Sequence, residues 1–136
     1  MSGVFELQKK IYYHDTDCGG VVYYANYLKH LEEARTEFCA AKGIETAALS
    51  GEGTFFVVSH VEIDYKASAR YGDRINISVQ IEKVGRSSVH FRQEIKRAGT
   101  LLIKAKIVWV CVGDNFRPKS IPENVREVFA GEVEKE

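Results

Sequence analysis

Near the start of the chain, Phe5, Leu7, Ile11 and Tyr13 fall on one parity, with Glu6, Gln8 and Lys10 on the other. A period of two predicts a strand with one buried face. The alternation stops at His14-Asp15-Thr16-Asp17-Cys18-Gly19-Gly20, where two glycines and two aspartates predict a loop with unusual backbone angles. Tyr27, Leu31, Ala34, Phe38 and Ala41 then recur at steps of 4, 3, 4 and 3, which keeps them on one face of a helix. Lys29, Glu32, Glu33 and Lys42 lie elsewhere on it. Gly43 stands where a helix commonly ends in the left-handed conformation. Asn26 is the expected N-cap, with a start one or two residues earlier as the alternative.

Beyond Gly53 the period returns to two. Val61, Ile63, Tyr65 and Ala67 alternate with Glu62, Asp64, Lys66 and Ser68. Ile75, Ile77, Val79 and Ile81 alternate with Asn76, Ser78, Gln80 and Glu82, and Val89, Phe91, Gln93 and Ile95 with His90, Arg92, Glu94 and Lys96. Gly72-Asp73, Gly85 and Ala98-Gly99 read as turns. A last strand is expected from about Leu101 to Val112, and Pro122 can open a short helix through Phe129. One strand, one long helix and four strands on short connections predict an α+β layer arrangement. In it, an antiparallel meander wraps a helix that buries its apolar stripe on the sheet.

Ile107-Val108-Trp109-Val110-Cys111-Val112 breaks the alternation, as does Phe55-Phe56-Val57-Val58. Strands apolar on both parities are normally covered on both faces. One helix covers only one face, so a homo-oligomer built from two-fold dimers is expected. The alternative is a C-terminal segment folded over the open face.

Composition narrows the function classes. The chain has 136 residues and a hydrophobic fraction of 45%, which fits one domain, expected over residues 1–136 with a tail from about 118. Lysine plus arginine equals aspartate plus glutamate at 19 each, so nucleic acid, which selects basic surfaces, is not an expected partner. Cys18, Cys39 and Cys111 are odd in number and form no C-x-x-C pair, which argues against disulfides and structural zinc. The opening Met1-Ser2-Gly3-Val4-Phe5-Glu6 has no apolar leader, and no apolar run nears the roughly 18 residues of a membrane span. A cytoplasmic location is expected.

Chemistry is expected where the glycine-rich loop runs into the helix. The first N–H groups of a helix lack partners, and with the helix dipole they favour negative charge. A carbonyl oxygen there would be stabilised as an acyl-transfer transition state develops, at roughly 3 kcal/mol per donor. An aspartate just ahead of the helix could attack that carbonyl or activate water. Asp17 and the N–H groups near Tyr24 fit, without a metal or cofactor. Each feature taken singly is commoner as a cap, turn or packing residue.

The stretch Tyr12-Tyr13-His14-Asp15-Thr16-Asp17-Cys18-Gly19-Gly20-Val21-Val22-Tyr23-Tyr24-Ala25-Asn26-Tyr27-Leu28, with Glu33-Ala34-Arg35-Thr36-Glu37, resembles the signature of hotdog-fold acyl-CoA thioesterases. The likeness is to the 4-hydroxybenzoyl-CoA thioesterase family, in particular its Tol–Pal-associated branch. Val57-Val58-Ser59-His60-Val61 and Ala69-Arg70-Tyr71-Gly72-Asp73 also look like family positions. The resemblance implies a five-stranded antiparallel sheet around a long helix, and hydrolysis of an acyl-CoA or acyl-carrier thioester. It implies Asp17 as the catalytic carboxylate, nucleophile or general base, with the Tyr24 N–H polarising the carbonyl and Asp15 forming the loop. Tyr13, Gly20, Asn26, Ser59 and His60 are then substrate-side positions, and Arg86 and Ser87 meet coenzyme A. The site lies between subunits of a homodimer or homotetramer, and acyl carrier protein is a conceivable partner. Several Tol–Pal-associated members place a histidine where this chain has Tyr24.

Other residues carry weaker expectations. His14 and Cys18 could form a Cys–His pair, but adjacency in sequence does not supply the geometry. His30 is expected on the helix surface and His90 in solvent. Glu32 with Arg35, or Glu33 with Arg35 and Glu37, reads as a helical charge network. A hotdog dehydratase and a non-catalytic acyl-thioester or acyl-carrier-protein binding module are the competing functions.

Overall fold

The computed structural model describes residues 4–17 and 19–133. Cys18, with its suggested pairing to His14, and the two chain ends lie outside the described residues. The elements are β1 (Phe5–Lys10), a single 3-10 turn (Tyr13–Asp15), α1 (Asn26–Ala41), α2 (Thr46–Gly51), β2 (Phe55–Tyr65), β3 (Arg74–Val84), β4 (Ser88–Arg97), β5 (Thr100–Val112) and α3 (Glu123–Gly131). No helix among the described residues is long and apolar enough to cross a membrane.

The five strands form one antiparallel sheet in the order β1-β3-β4-β5-β2. Strands β3, β4 and β5 form the expected meander. Its β4–β5 turn is Ala98-Gly99, with φ of 48° and 84°, the left-handed pair whose twist suits a tight hairpin. The simple meander of four strands is corrected at β2, which pairs with β5 and not with β3. The segment 66–73 carries the chain across the sheet end, anchored by Ala69, which is fully buried and donates its N–H to the Tyr27 hydroxyl at 2.9 Å. Strands β1 and β2 are therefore the two edges.

Helix α1 packs on one face. Phe38 meets Phe5 and Phe91 edge-on, Phe91 meets Trp109, and Trp109 stacks on Phe56. Leu31, Ile75, Ile77, Ile81, Ile95, Ile103 and Ile107 are buried around them. Each such side chain contributes about 1.5–3 kcal/mol by leaving water.

The buried side of α1 is wider than the apolar stripe. Tyr27, Leu31, Ala34 and Phe38 are buried as expected, Ala41 is exposed, and His30, Arg35 and Cys39 are buried too. The helix is enclosed on both flanks, so two adjacent residues per turn are covered. His30 is thus an interior residue, not a surface one. Among the described residues Arg35 forms no ion pair with Glu32, Glu33 or Glu37; its Nη1 donates to the buried Gln93 Oε1 at 2.9 Å. At the helix start, Ala25 takes the cap position with no side-chain hydrogen bond and Asn26 is the first helical residue. Gly43 has the left-handed φ of 81° expected of it.

Strand β1 stops at Lys10, so Tyr13 is not a strand residue; it sits 78% exposed in the 3-10 turn. The turn closes because Asp15 Oδ2 accepts the Tyr12 N–H at 2.9 Å. Helix α2, too short for its period to show in the sequence, joins α1 to β2. Helix α3 follows Pro122 as expected and packs on the same side as α1, with Phe129 on Phe56 and Lys42 3.3 Å from Glu132. It therefore does not cover the other face, where Val57 is 37% exposed and Val108 and Val110 are half-buried.

Candidate active site

The segment between β1 and α1 is tied at both ends. Thr16 and Val22 form a β-bridge, the Asp17 N–H donates to Val21 O at 2.9 Å, and the Gly20 N–H to Asp17 O at 3.1 Å. This tight turn requires φ of 77° at Gly20, a value that side chains with a Cβ disfavour. It leaves the Asp17 carboxylate exposed, with Oδ1 accepting the Gly19 N–H at 2.8 Å. A side chain at Gly19 would press on that oxygen, since an ideal Cβ there lies 3.3 Å from it.

Asp15 plays a different part. It is only 6% exposed. Its carbonyl accepts the Tyr23 N–H at 3.1 Å and the Asn26 Nδ2 at 3.0 Å. Asp15 thus fastens the turn to the start of α1, and Asn26 serves as the clamp from the helix side. A second strap comes from the β2–β3 connection. Val22 donates to Ala69 O, Tyr71 donates to Gly20 O, and Val21 bridges Arg70. That strap is held by Asp73, whose Oδ2 accepts Arg97 Nη1 and the Arg70 N–H at 2.8 Å each. Burial alone would raise the Asp73 carboxyl, but these donors outweigh it and hold it below the ordinary range.

At the head of α1, Asn26 N–H bonds back to Tyr23 O at 2.8 Å. Among the described residues the Tyr24 N–H, in the turn just before the Ala25 cap, has no acceptor. The Tyr24 ring is exposed, 4.8 Å from Tyr23 and 6.3 Å from Tyr65, and the Tyr65 hydroxyl donates to Tyr24 O at 3.4 Å. Burial and the neighbouring Tyr24 raise the Tyr65 hydroxyl, and the Tyr24 hydrogen bond raises that of Tyr23. Both remain protonated donors near neutrality. Tyr65 had no distinguishing mark in the sequence beyond its place in an alternating strand. Tyr13 stacks edge-on with Tyr71 on the outer side of the turn.

The remaining expected site residues lie elsewhere. Ser59 occupies the bulge of β2, with Oγ 3.4 Å from Val108 O. His60 pairs across from Val108, on the sheet face away from α1, and contacts Glu62 at 3.2 Å. Arg86 and Ser87 are in the β3–β4 turn, where Arg86 Nε donates to Ser120 Oγ at 2.7 Å. That turn adjoins Val110, and so the Val57 end of β2, whereas Tyr24 adjoins Tyr65. Eight strand residues, about 26 Å at 3.3 Å each, separate the two ends. One chain does not bring Arg86 to Asp17. Among the described residues there is no group of three or more histidine, cysteine, aspartate or glutamate side chains suited to a metal ion.

Residues 12–129 match the model of the thioesterase-like superfamily. The chain is 36% identical to the acyl-CoA thioester hydrolase YbgC of Escherichia coli O6:H1, over 93% of this chain and 96% of that protein. It is 30% identical to the 1,4-dihydroxy-2-naphthoyl-CoA hydrolase of Synechococcus elongatus, over 90% and 93%. Among solved structures, a probable thioesterase from Bartonella henselae superimposes with a TM-score of 0.84 at 30% identity, over 88% of this chain and all of that one. With the sheet wrapped on α1 and the glycine turn ahead of it, these likenesses decide the family. The chain belongs to the thioesterase-like superfamily and is a hotdog-fold thioester hydrolase.

Proposed function

We propose that this protein hydrolyses acyl-CoA thioesters, with Asp17 as the reactive carboxylate and the Tyr24 N–H as the oxyanion donor. One arrangement supports the reading: an exposed carboxylate on a tight glycine turn, shortly before a Tyr24 N–H that leads into α1 and has no acceptor among the described residues. The thioester carbonyl oxygen accepts from Tyr24 as it becomes an oxyanion. Asp17 takes a proton from water, the water oxygen adds to the carbonyl carbon, and the intermediate expels the coenzyme A thiolate, which regains a proton. In the nucleophilic variant the carboxylate adds first, and water then cleaves the acyl–aspartyl anhydride. A single turnover in 18O-water that labels Asp17 would establish the anhydride route, because only attack of water on the aspartyl carbon of the anhydride leaves solvent oxygen there.

The working unit is a homo-oligomer, at least a dimer, in a reducing compartment such as the cytoplasm. Strand β2 is an unpaired edge with Val57, Val58, Val61 and Tyr65 each more than a third exposed, and such an edge is a template for another strand. Antiparallel pairing of two β2 edges would set the Arg86–Ser87 turn of one chain near the Tyr24 end of the other. Coenzyme A phosphates would then meet an arginine and a hydroxyl next to the reacting carbonyl.

Free-thiol release from aromatic, short-chain and long-chain acyl-CoAs and an acyl-carrier thioester tests the reading. Asp17→Asn is expected to lower kcat at least ~100-fold, in line with loss of a positioned base. Tyr24→Phe, which keeps the backbone N–H, should change it little. Equal rates for Asp17→Asn and the parent would remove Asp17 from the mechanism.

A further inference from the structure

His30 is 2% exposed, although it lies on α1 about one turn from the helix start in a polar stretch. Its Nδ1 is 3.0 Å from Lys9 Nζ. Its Nε2 is 3.5 Å from Asp15 Oδ1 and has no hydrogen-bond partner at normal distance. Lys9 in turn pairs with Glu33. The charged and titratable groups facing the ring are Lys9 from β1, Asp15 from the turn with His14 on its far side at 3.6 Å, and Glu33 and Lys29 from α1.

An ammonium group has no lone pair, so Lys9 can only donate. Nδ1 must therefore be the acceptor, and the ring proton of neutral His30 sits on Nε2, the atom that faces Asp15. An imidazolium would instead set an N–H and a positive charge against Lys9. Burial and Lys9 both lower the His30 pKa, more than Asp15 and Glu33 raise it. The ring is thus neutral, with its Nε2–H facing, at 3.5 Å, a carboxylate that is almost wholly buried. Asp15 is also the residue whose carbonyl takes Tyr23 N–H and Asn26 Nδ2, and which precedes Asp17 by two positions.

We infer that His30 is a positioning residue for thioester hydrolysis: its Nε2–H, 3.5 Å from the Asp15 carboxylate, steadies that carboxylate electrostatically, and through Asp15 it fixes the turn that presents Asp17 to the substrate. The inference rests on the reading of Asp17 as the reactive carboxylate. A displacement of about 1 Å in a reacting group can cost on the order of 100-fold in rate. Because the loss falls on chemistry, it should appear in kcat and not in KM.

The test compares the parent with His30→Phe, His30→Gln, Lys9→Met and Asp17→Asn. Gln can return a donor near the Nε2 position, and Phe fills the space without one. His30→Phe should lower kcat about tenfold or more with KM within about threefold, and His30→Gln should stay within about threefold of the parent. Amide hydrogen exchange over residues 15–23 should quicken in His30→Phe and not in His30→Gln. Ring 15N shifts of His30 should report the Nε2-protonated neutral tautomer at pH 7 in the parent, and a smaller share of it in Lys9→Met. The inference is overturned if His30→Phe keeps parental kcat and exchange, if His30→Gln is as impaired as His30→Phe, or if the parental ring is protonated on Nδ1. Should His30→Phe fail to fold, His30→Gln and the ring spectrum decide. If Asp17→Asn keeps the parental rate, the assignment of Asp17 falls, while the exchange data still show whether His30 holds the turn.

Discussion

Arg35 is a buried cation whose surroundings set its energetic cost. It is 3% exposed, donates Nη1 to Gln93 Oε1 at 2.9 Å, and lies over the Trp109 ring at 5.7 Å. Its Nε has no partner, and no acidic side chain among the described residues is within ion-pair distance. Burial pushes its pKa from 12.5 down to about 10, a difference worth roughly 3 kcal/mol. The neutral amide of Gln93, itself fully buried and bonded to Leu31 O at 3.1 Å, is what offsets that cost. Gln93→Leu should therefore destabilise by about 3 kcal/mol, the lower end for a buried charge that loses its partner. Arg35→Met keeps packing on Trp109 and removes the charge, and leaves only one unsatisfied oxygen, so its cost should be about 1–2 kcal/mol. The double variant has neither a buried charge nor an orphaned acceptor and should be more stable than Gln93→Leu alone. Urea unfolding at fixed protein concentration measures all four proteins, since an oligomer shifts the midpoint with concentration. If the double variant loses the sum of the single losses to within ~0.5 kcal/mol, the two side chains are uncoupled and the reasoning is refuted.

Two further predictions concern the strap and the edge. Asp73→Asn should cost about 1–2 kcal/mol at neutral pH, because charge-assisted bonds to Arg97 and Arg70 N–H are lost from a side chain only 24% exposed. The folded carboxyl lies below its unfolded value, so this stability is fully present above about pH 4 and fades as pH falls through the lower folded value. The gap between parent and variant should close in acid, and a gap constant with pH would show that the charge does not matter. Val61→Lys puts a charge on an edge residue that is 39% exposed. Sedimentation velocity should show the parent as an oligomer and the variant shifted toward monomer; a monomeric parent would leave the edge without its proposed role.

The period-two segments from Arg74 to Arg97 were legible because each strand has one face against α1 and one more open, and burial follows parity along β3 and β4. Strand β2 shows the limit. Its residues alternate in type between Val61 and Tyr65, yet it is exposed along most of its length on both faces. Alternation records that one face is destined to be covered, not what covers it. Its pairing with β5 instead of β3 was equally invisible. Short connections favour sheet neighbours, and the buried Ala69 that carries the chain across has no signature as a single small residue.

The site divides along the same line. The glycines, the aspartates and the helix start mark local backbone needs, so the turn and the start of α1 could be placed from their order in the chain, and the family resemblance then named Asp17 and Tyr24 as the candidates within them. His30 and Arg35 could not, because both sit beside the apolar stripe of α1 and their burial is decided by β1, the turn and β4. A polar residue there looks the same in sequence whether solvent or another strand faces it. What distinguishes it is the partner that satisfies it: Lys9 and Asp15 for His30, Gln93 for Arg35. These partners are 21, 15 and 58 residues away in the chain. The Arg86–Ser87 turn carries that reasoning to its end. It fits a phosphate chemically, yet it is about 26 Å from the Tyr24 end of its own sheet. Either it serves no acyl-CoA, or the site that uses it is shared between two chains.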